Sequence, residues 1–337
     1  MSLRGVPYSR RRGNLRLNSE FVRLLRSFRA RNASKLACVA GGSVARNDNS
    51  DFMKILILGA KGNLGQQLVK VFTAAGEVIA WDRGEIDITD RELMLKKISE
   101  VKPELVVNAA AYNAVDKCES DDEEYDLAKK INIDGPKFLA EACLKTGAVL
   151  IHYSTDYVFD GRKKSGYLEI DEPRPINRYG KTKLHGEKRI LELSGSGLKW
   201  YLIRTSKLFG PKGQGEMAKP SFFDIMLELS KTKKELEVVD DELSCFTYSP
   251  DLAKATGELY ESGRGWGIYH LTNSGRATWY EAAVELFGIA GINVKVAPVK
   301  SEKFERPAKR PKYSALLNTK LPRLRDYREA LREYLKK

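Results

Sequence analysis

Apolar residues gather in short, dense runs along this chain, and between them lie longer stretches with helical spacing. The runs at 54–58 (KILIL), 78–81 (VIAW), 105–108 (LVVN), 149–153 (VLIHY), 200–204 (WYLIR) and 267–271 (GIYHL) predict strands, because each is too short for a buried helix and is bounded by turn-forming residues. Amphipathic or helix-favouring stretches predict helices over 66–75, 123–145, from 177 onward, and over 220–230, 252–260, 278–287 and 325–334. Strands alternating with helices imply right-handed crossovers, and hence an α/β fold with a doubly wound parallel sheet of Rossmann type. Residues 231–234 read as an exposed charged turn, and 300–323 as a proline- and base-rich segment with little periodicity.

At 337 residues, 42% hydrophobic and 31% charged, the chain is long enough for one large or two modest globular domains. No run approaches the roughly 18 apolar residues of a membrane span. Four cysteines and three histidines are dispersed without metal-ligand spacing, which argues against a metal site or a disulfide framework and suits a reducing cytoplasm. The net charge of +13 is uneven: residues 1–52 hold 11 Lys+Arg against 3 acidic residues, a net of +8, leaving +5 for the rest. That distribution weakens a nucleic-acid reading, since a mildly basic body suits an anionic small molecule as well as it suits a polynucleotide. The first 52 residues read as a disordered extension to a domain that starts at Met53, with an upstream start codon as one origin. An organelle transit peptide ranks second, and a basic arm for nucleic acid is a further alternative.

The chemistry lies in a few phrases. Gly59-Ala-Lys61-Gly62-Asn63-Leu64-Gly65 follows the first strand and opens the first helix. Such a loop permits close backbone approach to a pyrophosphate, with the helix N-terminus facing it. Asp82, 17 residues beyond Gly65, ends the second strand and suits the ribose hydroxyls of NAD, whereas Arg83 and Lys61 suit the 2′-phosphate of NADP. Both cofactors are therefore expected, with a lean to NADPH. Small residues Ala109, Ala110 and Ala111, followed by Tyr112, end the third strand where a flat ligand would approach. Tyr179 and Lys183 share one face of a helix one turn apart, where an ammonium would lower the phenol's pKa. Ser154 and Thr155 close a strand where their hydroxyls could meet the same reacting oxygen.

In this order, G-x-x-G-x-x-G, N-A-A-A, S-T-D-Y-V-F-D-G and Y-x-x-x-K resemble the extended short-chain dehydrogenase/reductases. The phrases 108–117 (NAAAYNAVDK), 152–160 (HYSTDYVFD), 179–187 (YGKTKLHGE), Arg204-Thr205-Ser206, 269–275 (YHLTNSG) with Trp279, and 310–316 (RPKYSAL) are similar to the dTDP-4-dehydrorhamnose reductase branch. The resemblance implies an NAD(P)-binding domain over 53–212, its sheet completed by parts of 235–272, and mainly a small α/β substrate-binding lobe over 213–337. It implies that NADPH or NADH reduces the C4 keto group of a nucleotide-linked 6-deoxysugar. Tyr179 then donates the proton, Lys183 holds the nicotinamide ribose and depresses the Tyr179 pKa, and Thr155 polarises the substrate oxygen. Asp87 and Ile88 flank the adenine, Ser154 and Thr205 join the cofactor side, and Asp156, Tyr157, Lys207 and Arg310 fall to the substrate. A homodimer is also implied.

Three departures bear on the substrate. Lys207 stands where the family ordinarily has Trp, Ser221 where Asn is usual, and 241–247 (DELSCFT) replaces a glycine- and proline-containing phrase. Two other readings fit parts of the pattern: a sugar-nucleotide 4-epimerase or dehydratase, and a non-catalytic subunit like the methionine adenosyltransferase regulatory subunit.

Overall fold

Ile55 to Leu58 are wholly inaccessible to solvent, as they must be in a strand flanked on both sides and covered on both faces. This strand, β1 (Lys54–Leu58), pairs in parallel with β2 (Glu77–Trp81) on one side and β3 (Leu105–Asn108) on the other. The sheet continues in parallel through β4 (Val149–Thr155), β5 (Lys199–Thr205) and the strand Gly267–His270. From one edge, the order is Gly267–His270, β5, β4, β3, β1, β2. Chain direction around the sheet reverses between β1 and β3, so a crevice opens at their carboxyl ends. The computed structural model describes residues 52–215 and 218–336. The extension expected over 1–52 lies, but for Phe52, outside the described residues.

Two helices differ instructively from the expectation. The first spans Asn63–Phe72 rather than 66–75, with the extended Gly62 as its N-cap. Gly65 thus lies within the helix, where a Cβ would come 2.0 Å from the Gly59 carbonyl oxygen. The glycine lets the helix lie against the loop that precedes it. The stretch expected as one helix over 123–145 is two, Asp122–Lys129 and Gly135–Thr146, joined by a π-turn at Lys130–Asp134. Pro136 opens the second helix; it has no N–H to give and its ring would strike the carbonyl four residues back, so the backbone widens. A further helix, Arg91–Val101, begins at an Asp90 cap that accepts from Leu93 N.

The helix Arg178–Glu192 carries the Tyr179/Lys183 pair. Its Asn177 cap accepts from Gly180 N at 2.7 Å. Two turns past Tyr179, Glu187 meets Arg204 of β5 in a two-pronged ion pair, Nε to Oε1 at 3.0 Å and Nη2 to Oε2 at 2.6 Å. Both side chains are 2% exposed or less. A second apolar core unites Phe209, Phe223, Phe246, Tyr248, Leu286 and Tyr327. It lies under helices Phe222–Ser230, Trp279–Ala290 and Tyr327–Leu335, beside a two-stranded parallel sheet, Glu235–Val239 with Lys295–Val299. No helix among the described residues is long and apolar enough to cross a membrane.

Removing one member of a buried pair strands the other's charge, at a cost of about 3–5 kcal/mol. Glu187→Met should therefore lower stability by about that amount in urea unfolding, and Arg204→Met comparably. The double variant is expected to lose less than either single one.

Candidate active site

Every expected cofactor-side and catalytic position falls at the carboxyl edge of the sheet or on a helix that starts there. Gly59 adopts φ +71, and a Cβ on it would sit 2.7 Å from Ala110 N. The glycine loop and the small residues after β3 therefore touch backbone to backbone. Gly62 offers the first helix no side-chain cap, so the N–H groups at the start of Asn63–Phe72 point outward with no side chain from Gly62 over them. That cradle fits a pyrophosphate. Asp82 accepts from Lys61 N and Arg83 N, both at 2.9 Å. The Lys61 ammonium lies 3.6 Å from Glu85, and Arg83 is exposed. Asp87 caps its own turn through Thr89, while Ile88 is buried against Gly135.

The loop at 210–215 closes over the cradle. Asn63 and Gln66 donate to the Pro211 carbonyl at 2.9 and 2.8 Å, and Gln214 N donates to the Lys61 carbonyl at 2.8 Å. On the other side of the crevice, Tyr112 buries its ring with Cys118 and Ala128, and Tyr179 packs against that cluster. Asn132, placed by the π-turn, accepts from Tyr112 N and donates to both the Tyr112 carbonyl and Thr182 Oγ1, each at 3.0 Å. The third strand end is thereby tied to the Tyr179 helix.

β4 extends two residues beyond the expected 149–153, so Ser154 and Thr155 are strand residues registered with Arg204 and Thr205. Thr205 Oγ1 lies 3.4 Å from Thr247 Oγ1. Ser154 Oγ is shielded from solvent and has no partner among the described residues. Thr155 donates to Asp156 Oδ1 at 3.1 Å, and its hydroxyl lies near enough to the Tyr179 phenol to draw that phenol's pKa down. The Tyr157 ring meets that of Tyr179 edge-on, with centroids 5.9 Å apart.

The expectation that Lys183 depresses the Tyr179 pKa is not met. Burial dominates and raises the phenol's pKa; Thr155 pulls it down, and the Asp156 charge pushes it further up. Lys183 donates to the Tyr153 carbonyl at 2.7 Å, and burial lowers its pKa to about 8 against the opposing charge of Glu187. At neutral pH Tyr179 therefore keeps its proton, ready to give. His152 hydrogen-bonds Asn108 Nδ2 at 3.0 Å, and its pKa falls well below the usual value through burial and the nearby Lys183.

Of the substrate-side candidates, Arg310 and Asp156 are engaged within the protein. Arg310 forks onto Asp116, with Nη2 to Oδ2 at 2.6 Å, so its guanidinium is engaged within the protein. Asp156 accepts from Ser314 at 2.6 Å. The V-D-K phrase and the S-T-D-Y phrase are thus both held by the R-P-K-Y-S phrase. Asp116, Ser314, Asn132 and the Arg204–Glu187 pair were not singled out as site residues from sequence. The first two stood inside quoted motifs, and Pro136 was the signal for the third. Among the described residues, no cluster of His, Cys, Asp and Glu could hold a metal ion.

A parallel sheet with a glycine cradle at its reversal point, and a half-buried Tyr beside Thr and Lys, define a Rossmann-type short-chain dehydrogenase/reductase. A family described as the RmlD substrate binding domain matches residues 53–337. The chain is 37% identical over 287 residues to the spore coat polysaccharide biosynthesis protein SpsK of Bacillus subtilis, covering 84% of this chain and 96% of that one. A solved dTDP-4-dehydrorhamnose reductase from Clostridium acetobutylicum superposes with a TM-score of 0.78 at 43% identity, covering 84% of this chain and 99% of that one. The Bacillus anthracis reductase, solved in complex with NADP, superposes equally well (TM-score 0.78) at 33% identity, with the same coverage. The chain belongs to the RmlD family, that of the dTDP-4-dehydrorhamnose reductases.

The two glycine positions separate by substitution. Gly65→Ala, forced against the Gly59 carbonyl, should cost about 1–3 kcal/mol in thermal or urea unfolding. Gly288→Ala, within the helix Trp279–Ala290 and with nothing within 4 Å of a new Cβ, should stabilise by about 0.5–1 kcal/mol.

Proposed function

We propose that the protein reduces the C4 keto group of dTDP-4-dehydro-β-L-rhamnose to give dTDP-L-rhamnose, using NADPH or NADH. The observation that carries this reading is the neutral Tyr179 phenol, half-buried beside Thr155 and one helical turn from Lys183. When bound, the reduced nicotinamide supplies the hydride. Gly59, Gly62 and Gly65 shape the pyrophosphate cradle, with Asp82 and Arg83 at its ribose end. Lys183 presents its ammonium where a ribose hydroxyl would lie. Thr155 holds the carbonyl oxygen, and Tyr179 gives it a proton as negative charge develops there. A phenol whose pKa is raised remains loaded for that transfer throughout the neutral range. Asp156 and Tyr157 bound the sugar side, while Arg310 keeps that wall in place through Asp116.

The names of the relatives support the sugar nucleotide, and the NADP complex of the Bacillus anthracis reductase supports the cofactor. We place the enzyme in the cytoplasm, since the three described cysteines are buried free thiols, as a reducing compartment favours.

The test is to mix the protein with NADPH and dTDP-4-dehydro-L-rhamnose, follow loss of reduced-nicotinamide absorbance, and identify the product. Tyr179→Phe is expected to lower kcat by about 10²–10⁴-fold. No oxidation between about pH 6 and 8, in wild type as in Tyr179→Phe, overturns the reading. Tightly held NAD with no net NADPH consumption would point instead to an epimerase or dehydratase.

The pH profile offers a second check. Lys183 is charged below its lowered pKa of about 8. kcat/KM should therefore fall as pH rises through about 8, rather than near the ordinary lysine value of about 10.4.

A further inference from the structure

β3 ends on Asn108, where the chain turns to bring Ala109 and Ala110 against the glycine loop. The Asn108 side chain holds that turn, its Oδ1 accepting from Ala110 N at 3.1 Å. Ala110 N is also the atom that a Cβ on Gly59 would meet first, at 2.7 Å. Opening the turn therefore moves backbone at the cofactor cradle. Three residues on, Asn132 holds both the N–H and the carbonyl of Tyr112 at 3.0 Å. The segment 109–112 is thus suspended between two buried carboxamides. Thr182 braces the second of them, and His152 the first.

Asn108 and His152 are register partners on β3 and β4, and both are buried. Their partners fix where the hydrogens lie. Ala110 N can only donate, so Asn108 turns Oδ1 to it and Nδ2 to His152. His152 Nδ1, 3.0 Å from that Nδ2, must then accept with its lone pair, and the ring hydrogen sits on Nε2. This Nε2 is shielded from solvent and has no hydrogen-bond partner among the described residues. Burial and the nearby Lys183 charge keep the ring neutral, which preserves the acceptor. A leucine would fill similar space after the apolar run 149–151 and strand no ring donor. What histidine adds there is the Nδ1 lone pair.

We propose that His152 is a positioning residue for the dinucleotide: its Nδ1 holds the Asn108 carboxamide in the orientation that keeps Ala109 and Ala110 turned against the glycine loop. The inference rests on the reductase reading above, since it takes a nicotinamide dinucleotide as the occupant of the cradle. It adds a residue that acts on that ligand through another side chain. Were His152 merely a core residue, its shape and volume would matter and its lone pair would not. Losing the acceptor leaves the Asn108 Nδ2 unpaired and its carboxamide free to turn, and the Ala110 N–H then loses its partner.

The test titrates the full-length protein with NADPH, reads Kd from nicotinamide fluorescence, and follows urea unfolding of the same variants. His152→Asn places an acceptor oxygen close to where Nδ1 stands, whereas His152→Leu places carbon there. The leucine variant should bind NADPH about 5–10-fold more weakly than wild type, and the asparagine variant within about threefold of it. Asparagine leaves the larger cavity, so affinity should follow the acceptor and not the stability. Asn108→Ala should weaken binding by about the same factor as His152→Leu, because the histidine acts through that amide. Equal affinity in the leucine and asparagine variants overturns the inference. So does wild-type affinity in Asn108→Ala, which decides the matter if either His152 variant does not fold. If wild type binds neither NADPH nor NADH, the reductase reading fails first and this inference falls with it. Wild-type binding with either overturning result sinks the His152 inference alone.

Discussion

The buried fork between Arg204 and Glu187 sets the rotation of the helix on which the site depends. A helix laid on a sheet can turn about its own axis at little cost if only apolar side chains hold it. Two parallel hydrogen bonds between a planar guanidinium and a carboxylate do not permit that freedom. Tyr179, Lys183 and Glu187 follow one another at four-residue spacing along one stripe. Fixing the last therefore aims the first two. Two glycines complete the constraint: a Cβ at Gly180 would lie 2.2 Å from the Tyr157 carbonyl, and one at Gly186 2.1 Å from that of Asn132. The helix is thus held close as well as held in rotation. An apolar pair of similar volume would be no less stable, but would leave the aim of the phenol to packing alone.

A second set of contacts closes the site from the far end of the chain. The segment 309–314 reaches Asn177 through the Lys309 carbonyl, Asp116 through Arg310, Gly161 through Tyr313 N, and Asp156 through Ser314. Three of these partners lie beyond the end of β4 or at the start of the Tyr179 helix, and the fourth on the short helix Val115–Ser120 after β3. A proline- and base-rich stretch with little internal regularity therefore has a regular task, because its donors and one of its carbonyls pair with polar groups on several different elements.

The dinucleotide half was readable because its signals are local. A glycine loop between an apolar run and an amphipathic stretch, an acidic residue at the next strand end and a Tyr/Lys pair at helical spacing each lie within a few residues. What escaped reading depends on pairing at a distance. Asp116 and Arg310 are 194 positions apart, and nothing near either predicts the other. Glu235–Val239 and Lys295–Val299 form a sheet of only two strands, each partly exposed, which leaves a weak apolar signature. The π-turn was legible in principle from Pro136, yet the helical periodicity on both sides masked it. The pKa of Tyr179 was misjudged because spacing locates an ammonium but says nothing of how much water the fold removes around the phenol.

Arg310 and Ser314 come late in a chain that is made from the other end. As synthesis proceeds, the glycine cradle, β3, β4 and the Tyr179 helix have all emerged while the strap that braces Asp116 and Asp156 is still untranslated. The early part contains the glycine loop and the Tyr179 helix; the bracing of Asp116 and Asp156 is complete only after residue 314. A ribosome-bound or prematurely terminated product would thus carry the phenol and the ammonium without the frame that presents a sugar to them. Catalytic competence becomes a report that translation has passed residue 314.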